Sequence, residues 1–394
     1  MRFYLIAGEP SGDALGAALM AGLNSLNPDI QFTGVGGPLM QAQGLESQFP
    51  MEELSVMGLA EVLPKYTHLK RRIRECAESV LADPPDALIT IDSPDFSLRV
   101  ARLVKSSADI RTIHYVAPTV WAWRAKRAAK MAQVIDHVLA LFPFEPPYME
   151  AEGMRCDFVG HPVVAQPQAS EADVAALRAA YGMVEDDRIL LVLPGSRVGE
   201  VSRLAGTFGQ ALKRVLNDLP DLKVVLPAAG PVADRIEQLT RDWTANPIIL
   251  DPRGKDPEAF ATEKRAAFRA AEVALAASGT VSLELAAAQT PMVIAYDMNW
   301  ITRQIISRML QIDTVTLVNI VSETRAVPEF LGDACTPEAI STGLLDLLQS
   351  DTAMAAQLSA EAETMLRLGQ GGEDPGLRAA KAVLDGLPTI DQLA

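Results

Sequence analysis

Asp92 is the side chain in this sequence best placed to take a proton. It stands in Ile91-Asp92-Ser93-Pro94-Asp95-Phe96, directly after the strand-like run 86–91, and Pro94 ends that run. A carboxylate at a strand end beside a cleft suits a general base that takes a proton from a sugar hydroxyl. Asp95 reads more simply as a cap for a helix beginning at Phe96. A second group, Gly8-Glu9-Pro10-Ser11-Gly12-Asp13, follows the apolar run Phe3-Tyr4-Leu5-Ile6-Ala7. It offers two carboxylates, a hydroxyl and bare backbone. These serve either a ligand or, through Ser11 or Asp13, the start of the next helix. The GxGxxG spacing of a dinucleotide site is absent. Gly34-Val35-Gly36-Gly37-Pro38 adds a flexible loop at the same sheet edge.

The second half carries anion chemistry. Pro194-Gly195-Ser196-Arg197 follows the apolar run Ile189-Leu190-Leu191-Val192-Leu193 and leads into a helical pattern. A small-residue turn opening a helix aims free N–H groups and the helix dipole at one spot. Arg197 adds a guanidinium suited to a diphosphate, and Glu200 follows three residues on. In Ala277-Ser278-Gly279-Thr280, Ser278 and Thr280 can cap a helix whose N-terminus can hold phosphate. Glu284, further along that helix, can take ribose hydroxyls or serve as a capping-box or surface acid.

Two basic stretches break the acidic average. Residues 65–74 hold five cationic side chains, among them Lys70, Arg71 and Arg72, and no acid. They come just after Val56, Met57, Leu59, Val62 and Leu63. Apolar residues beside a basic cluster suit an anionic membrane surface, and equally a solvated helix face over a core. After Trp121-Ala122-Trp123 come Arg124, Lys126, Arg127 and Lys130, with no acid between Asp109 and Asp136. Exposed, these suit a phosphate or lipid headgroup; buried, the tryptophans are ordinary packing. His114 lies in a buried-looking strand and His161 in a Gly-His-Pro turn. No pair or trio of His, Cys, Asp or Glu has metal-ligand spacing, so no metal and no cofactor is expected.

Placing these groups takes two cores, because 394 residues exceed what one usually holds. Strand patterns at 3–7, 31–35, 86–91, 111–116, 137–141 and 157–159 alternate with helical patterns such as 13–26, 68–82 and 96–107. The alternation restarts with strands near 189–193, 222–226, 247–250, 273–276 and 291–295. It predicts an α/β chain of two Rossmann-like domains, with parallel sheets facing a central cleft. The proline-bearing stretch 161–172 predicts the linker. The expected division is 1–165, 166–340 and C-terminal helices over 341–394, packing back on the first domain or exchanged in a dimer. The net charge of −15 argues against a general nucleic-acid binder. Cys76, Cys156 and Cys335 form no CxxC pair, which fits a reducing compartment. The first apolar run is too short for a signal peptide, and no run reaches the roughly 18 residues of a membrane span.

These motifs resemble the lipid-A-disaccharide synthases, glycosyltransferases of the two-Rossmann GT-B fold. The matching stretches run nearly end to end: GEPSGD at 8–13, GVGGPLM at 34–40, SVMGLAEVLP at 55–64, IDSPDF at 91–96 and HYVAPTVWAWRAKR at 114–127. They continue with FPFE at 142–145, FVGHP at 158–162, LPGSRVGEV at 193–201, ASGTVSLELA at 277–286 and VNIV at 318–321. The resemblance implies transfer, with inversion, from UDP-2,3-diacylglucosamine to 2,3-diacylglucosamine 1-phosphate. The products are the β-1,6 disaccharide 1-phosphate and UDP. It puts the general base on Asp92, with Glu9 and Ser11 grouped beside it. It puts the UDP site around Gly195, Ser196, Arg197, Glu200, Ser278, Gly279, Thr280, Glu284 and Asn319, the last matching a position that matters in the family.

The same resemblance implies that Arg124, Lys126 or Arg127 meets the acceptor phosphate. Leu59, Val62, Leu63, Lys70, Arg71 and Arg72 then face an anionic membrane, the cytoplasmic side of the inner membrane. A homodimer is a family possibility, since relatives often exchange C-terminal segments. One departure stands out: the family often has Gln where Gly332 follows Val327-Pro328-Glu329-Phe330-Leu331. Rival readings are a nucleotide-sugar epimerase of the same fold, which needs no membrane patch, and a non-catalytic UDP-sugar or lipid binder, which has no use for Asp92 as a base.

Overall fold

The computed structural model describes residues 1–54, 59–121, 126–298 and 313–387; within 59–65 it describes the backbone alone. The chain divides into two compact units. One is Met1–Ala165 joined by the chain from Leu368 onward, and the other is Gln166–Arg367.

The first unit is built on β1 (Arg2–Ala7), β2 (Gln31–Val35), β3 (Glu46–Ser47), β4 (Ala87–Ile91), β5 (Thr112–Tyr115), β6 (His137–Ala140) and β7 (Arg155–Phe158). They form one parallel sheet in the order β3-β2-β1-β4-β5-β6-β7. Its central strands are apolar throughout because helices cover both faces: Phe3, Leu5, Leu88, Ile89 and Ile91 are fully buried. The helices are α1 (Pro10–Leu26), α2 (Pro38–Ala42), α3 (Leu59–Ala82), α4 (Pro94–Lys105), α5 (Lys126–Met131) and α6 (Pro146–Glu150). Proline opens α1, α2, α4 and α6, where its missing N–H costs nothing and its fixed φ fits.

The second unit repeats the plan. After α7 (Glu171–Ala180) come β8 (Ile189–Leu193), α8 (Val198–Asp218), β9 (Lys223–Pro227), α9 (Ala233–Thr240), β10 (Ile248–Leu250), α10 (Pro257–Ala270), β11 (Val273–Ala276), α11 (Val281–Ala287) and β12 (Met292–Tyr296). Then follow α12 (Leu317–Ser322), β13 (Glu329–Leu331), α13 (Pro337–Gln349) and α14 (Asp351–Arg367). The parallel sheet runs β10-β9-β8-β11-β12-β13. Its core joins Leu190, Val192, Leu204, Phe208, Leu275 and Val293. β3 and β13, which the sequence pattern did not reveal, are edge strands of two and three residues, too short to show a period.

The C-terminal segment is not one body. α13 and α14 belong to the second unit, whereas α15 (Pro375–Asp385) returns to the first, where it packs on α1. The approach is close: a Cβ on Gly376 would stand 2.5 Å from Ala18 O, and one on Gly22 would stand 2.6 Å from Gly376 O.

Candidate functional site

In the first sheet the chain leaves β1 for one side and later returns to β4 on the other, so the switch point lies between them. Ligands of doubly wound sheets bind at such points, beyond the strands' carboxyl ends. Gly8 and Glu9 follow β1; Asp92 and Ser93 follow β4. Ala7 and Ile91 are in register, and a Cβ on Gly8 would stand 2.9 Å from Ser93 Oγ, so the two turns touch.

This edge is strained. Asp92 (φ 50°), Ser93 (φ 44°) and Val116 (φ 84°), the last directly after β5, all take left-handed backbone. Such conformations cost a non-glycine residue about 1–3 kcal/mol and gather at functional edges. The Asp92 N–H donates to Tyr115 O at 2.9 Å, and Ser97 Oγ donates to Asp92 O at 2.8 Å. The backbone of Asp92 is thus anchored, while its half-buried carboxylate makes no hydrogen bond or ion pair among the described residues. Ser93 occupies the N-cap of α4 yet makes no capping bond, and Asp95 is an exposed first-turn acid.

Neither Ser11 nor Asp13 caps α1. Glu9 holds the N-cap position without a side-chain capping bond to the helix, and Ser11 is exposed. Asp13 is buried and accepts N–H groups from Gly37 (2.9 Å), Leu39 (3.0 Å) and Met40 (3.0 Å), fastening the start of α2 to α1. Its role is to hold the Gly36-Gly37 loop.

The histidines are structural. Burial pushes His114 and His161 down to about 4. His114 Nδ1 pairs with Thr90 Oγ1 at 2.7 Å, and His161 Nδ1 accepts the Val163 N–H at 3.2 Å. Beyond β6, Glu145 is buried, and burial pushes its carboxyl up to about 8. It accepts N–H groups from Leu141 (3.1 Å) and Phe142 (3.0 Å), and Trp121 Nε1 lies at 3.4 Å. Trp121 is itself buried against Phe144, so this tryptophan is a packing residue. Of the cations after it, Lys126 is exposed and Arg127 half-buried on α5, while Arg124 lies outside the described residues.

On α3 the side chains of Leu59, Val62 and Leu63 also lie outside the described residues. Arg72 does not face outward as expected. Its guanidinium stacks on Phe49 at 4.2 Å, binds Glu53 bidentately at 2.8 and 2.8 Å, and reaches Glu75 at 2.7 Å. This pairing holds the Glu53 carboxyl down at about 2, with His68 assisting at 2.5 Å. The run without acids in sequence therefore finds two acids in space. Among the described side chains of α3, the outward cations are Lys70, Arg71 and Arg74.

The second unit has its switch point between β8 and β11, with Leu193 and Ala276 in register. A cavity of about 550 Å³ lies there, within the size range of ligand pockets. Gly195, Ser196, Arg197 and Glu200 line one side, and Ser278, Gly279, Thr280 and Glu284 another. Gly195 has φ 115°, and a Cβ there would meet Glu200 Oε2 at 2.8 Å. Arg197 is the N-cap of the 21-residue helix α8 and its side chain caps no N–H; the Glu200 N–H turns back to Arg197 O at 3.0 Å, which leaves Val198 and Gly199 as the helix's open donors at this turn. The 7-residue α11 adds less dipole. Arg197 Nη1 bonds Glu200 Oε1 at 3.1 Å; the guanidinium is 64% exposed and the carboxylate 15%. Glu200 thus steadies Arg197, and an acid there does not itself hold a phosphate.

Asn319 is placed elsewhere than expected. It is buried, and its amide is spent on protein: Nδ2 donates to Val327 O (2.9 Å), Thr314 Oγ1 (3.2 Å) and Glu329 Oε1 (3.2 Å), and Oδ1 accepts the Val327 N–H (3.0 Å). It does not line the cavity.

Sequence reasoning missed Phe260 and Lys264 of α10 and the Pro227-Ala228-Ala229 turn after β9, all of which line the cavity. The turn carried a readable signal, small residues at a strand's carboxyl end. The helix face carried only an i, i+4 spacing, common on any amphipathic helix.

Comparison with known proteins follows the same lines. Residues 3–374 match the family model described as lipid-A-disaccharide synthetase. The chain is 65% identical over 388 residues to a lipid-A-disaccharide synthase of Ruegeria pomeroyi, covering 98% of this chain and 96% of that protein. It is 45% identical to one from Rhodospirillum centenum, covering 98% and 94%. Among solved structures, a putative UDP-N-acetylglucosamine 2-epimerase of Listeria monocytogenes superposes with a TM-score of 0.63 at 14% identity, over 97% of this chain and 94% of that one. At that identity the likeness speaks for the fold alone.

Proposed function

The chain belongs to the lipid-A-disaccharide synthetase family, and from that premise we propose how its two units divide the transfer. Its fold is that of two Rossmann-like α/β units, the GT-B kind, and its activity is a glycosyl transfer of lipid A synthesis. On our reading the second unit holds the donor, UDP-2,3-diacylglucosamine, and the first activates the acceptor, 2,3-diacylglucosamine 1-phosphate. One observation supports the division of roles: each sheet carries its chemistry-bearing turns at its own switch point, a carboxylate in the first and an anion turn in the second.

Asp92 takes the proton of the acceptor's 6-hydroxyl as that oxygen attacks the anomeric carbon. The bond to the UDP oxygen breaks on the opposite face, so the configuration inverts. Charge gathering on the leaving diphosphate is met by Arg197 and by the first N–H groups of α8, with Ser196, Ser278 and Thr280 as hydroxyl partners. Glu284 takes the ribose hydroxyls. Glu9 and Ser11 form the wall beside Asp92. Lys126 and Arg127 serve the acceptor phosphate.

Both substrates carry acyl chains, so the enzyme works peripherally at an anionic membrane face, the cytoplasmic side of the inner membrane. The outward cations of α3 support this. No helix among the described residues is long and apolar enough to cross a membrane.

The test is an assay of purified protein with both acylated sugars, following UDP and disaccharide by mass spectrometry. Asp92→Ala should lower turnover by about 10²–10⁴-fold, the usual range for general-base loss, while UDP-sugar binding persists. Near-normal turnover in that variant sinks the assignment of the base. Epimerised UDP-sugar in place of disaccharide returns the chain to the rival reading.

A further inference from the structure

The donor cavity contains two acids and two cations, and they are paired. Arg197 bonds Glu200, and on the opposite wall Lys264 Nζ bonds Glu284 Oε2 at 2.6 Å. A lone carboxylate facing a diphosphate sugar repels its ligand; one neutralised by a lysine can accept hydroxyl protons without that penalty. Lys264 lies four residues after Phe260, so the two side chains share one face of α10, and both line the cavity. Phe260 is the one aromatic ring among the described residues that line it. Lys255 Nζ stands 5.8 Å from the ring's centroid, and it is held there by Glu263 at 2.5 Å. The ring is therefore braced. Lys264 is likewise supported: Nζ lies 5.0 Å from the Phe268 ring one turn further on.

A nucleotide held by its phosphates at Arg197 and the start of α8 must lay its base and ribose on some other wall. We propose that the α10 face is that wall: Phe260 stacks on the base, and Lys264 is a positioning residue that holds Glu284 toward the ribose hydroxyls. The inference rests on the donor-site reading above and extends it. Stacking is indifferent to base identity, because every base has a π-face, whereas the Lys264–Glu284 pair reads the sugar. The two residues therefore divide the work. One supplies affinity for any nucleoside diphosphate, and the other supplies preference for ribose over 2′-deoxyribose.

Calorimetric titration of the full chain with UDP, 2′-deoxy-UDP and inorganic pyrophosphate tests this. Phe260→Ala should weaken UDP and 2′-deoxy-UDP alike, by about tenfold to a hundredfold, and leave pyrophosphate unchanged, while Phe260→Tyr retains affinity. Lys264→Met should bring the UDP to 2′-deoxy-UDP preference close to unity, again without touching pyrophosphate. Unfolding curves of each variant guard against loss of fold, and the Tyr variant keeps the test open if the Ala variant fails to fold. The inference is overturned if Phe260→Ala binds UDP as the unaltered protein does, or if either variant loses pyrophosphate as strongly as UDP. Failure of the donor-site reading looks different: the unaltered protein then binds neither UDP nor pyrophosphate, or Arg197→Ala leaves both unaffected, and the inference falls with it.

Discussion

Asp92 and Ser93 are consecutive left-handed residues that are not glycine, held by the Asp92 N–H bond to Tyr115 O and by the contact of Ser93 with Gly8. Glycine removes the clash of Cβ with the backbone at such a position, at some cost in unfolded-state entropy. Ser93→Gly is therefore expected to raise stability by up to about 1 kcal/mol in urea unfolding; an equal or lower midpoint would show that the turn is unstrained. Glu145 makes a pH prediction. Its folded value of about 8 lies above the ordinary carboxyl value of 4.5, so the folded state binds the proton more tightly. Stability from this group is complete below pH 4.5 and declines as pH rises toward 8. Glu145→Gln, which stays neutral, should gain on the unaltered protein across that window when unfolding is followed at several pH values. A constant difference between the two would refute a buried protonated acid at this position.

At the scale of elements, α3 shows why charge counted along a sequence is not charge on a face. Arg72 turns inward to Glu53, Glu75 and Phe49, while Lys70, Arg71 and Arg74 turn out. Each outward cation near an anionic bilayer is worth about 1 kcal/mol at most, so reversing Lys70 and Arg74 to Glu should cut binding to anionic vesicles many-fold and remove most of its salt sensitivity. Arg72→Glu should act differently. It strips Glu53 of its partner and sets acid against acid, so it lowers the folding midpoint. Salt-insensitive vesicle binding by the unaltered chain would defeat the electrostatic part of this picture. Asp13 makes the same point about neighbours: an acid in the first turn of α1 serves the start of α2 instead.

At the scale of the whole molecule, the chain ends by returning to the unit in which it began. After α14 the chain leaves the second unit, and α15 packs on α1 through Gly22 and Gly376, where no side chain fits. Gly376→Val should therefore destabilise the first unit by about 1–3 kcal/mol or more, the usual cost of overpacking. Hydrogen exchange should show the loss in α1 and β1, while UDP affinity, which our proposal assigns to the second unit, stays unchanged. Faster exchange confined to α13 and α14 would contradict this division.

Much of this protein is legible in its sequence. Alternating strand and helix patterns state the α/β class, because parallel strands buried on both faces must be apolar runs and their crossovers must be helical. The turns at 8–13, 91–96 and 194–197 are legible as candidate sites, because small residues, prolines and acids gather there at strand ends. What the tertiary structure alone decides is partnership. Whether Arg72 meets lipid or Glu53, whether Asn319 offers its amide to a ligand or spends it on Val327, and whether α10 turns Phe260 and Lys264 toward the cavity of the second unit all depend on tertiary packing. Side chains brought together by packing, such as Arg72 and Glu53 or Asn319 and Val327, leave no periodic trace of each other. Local pattern therefore encodes the elements and their order, and only packing settles which side chains remain free to do chemistry.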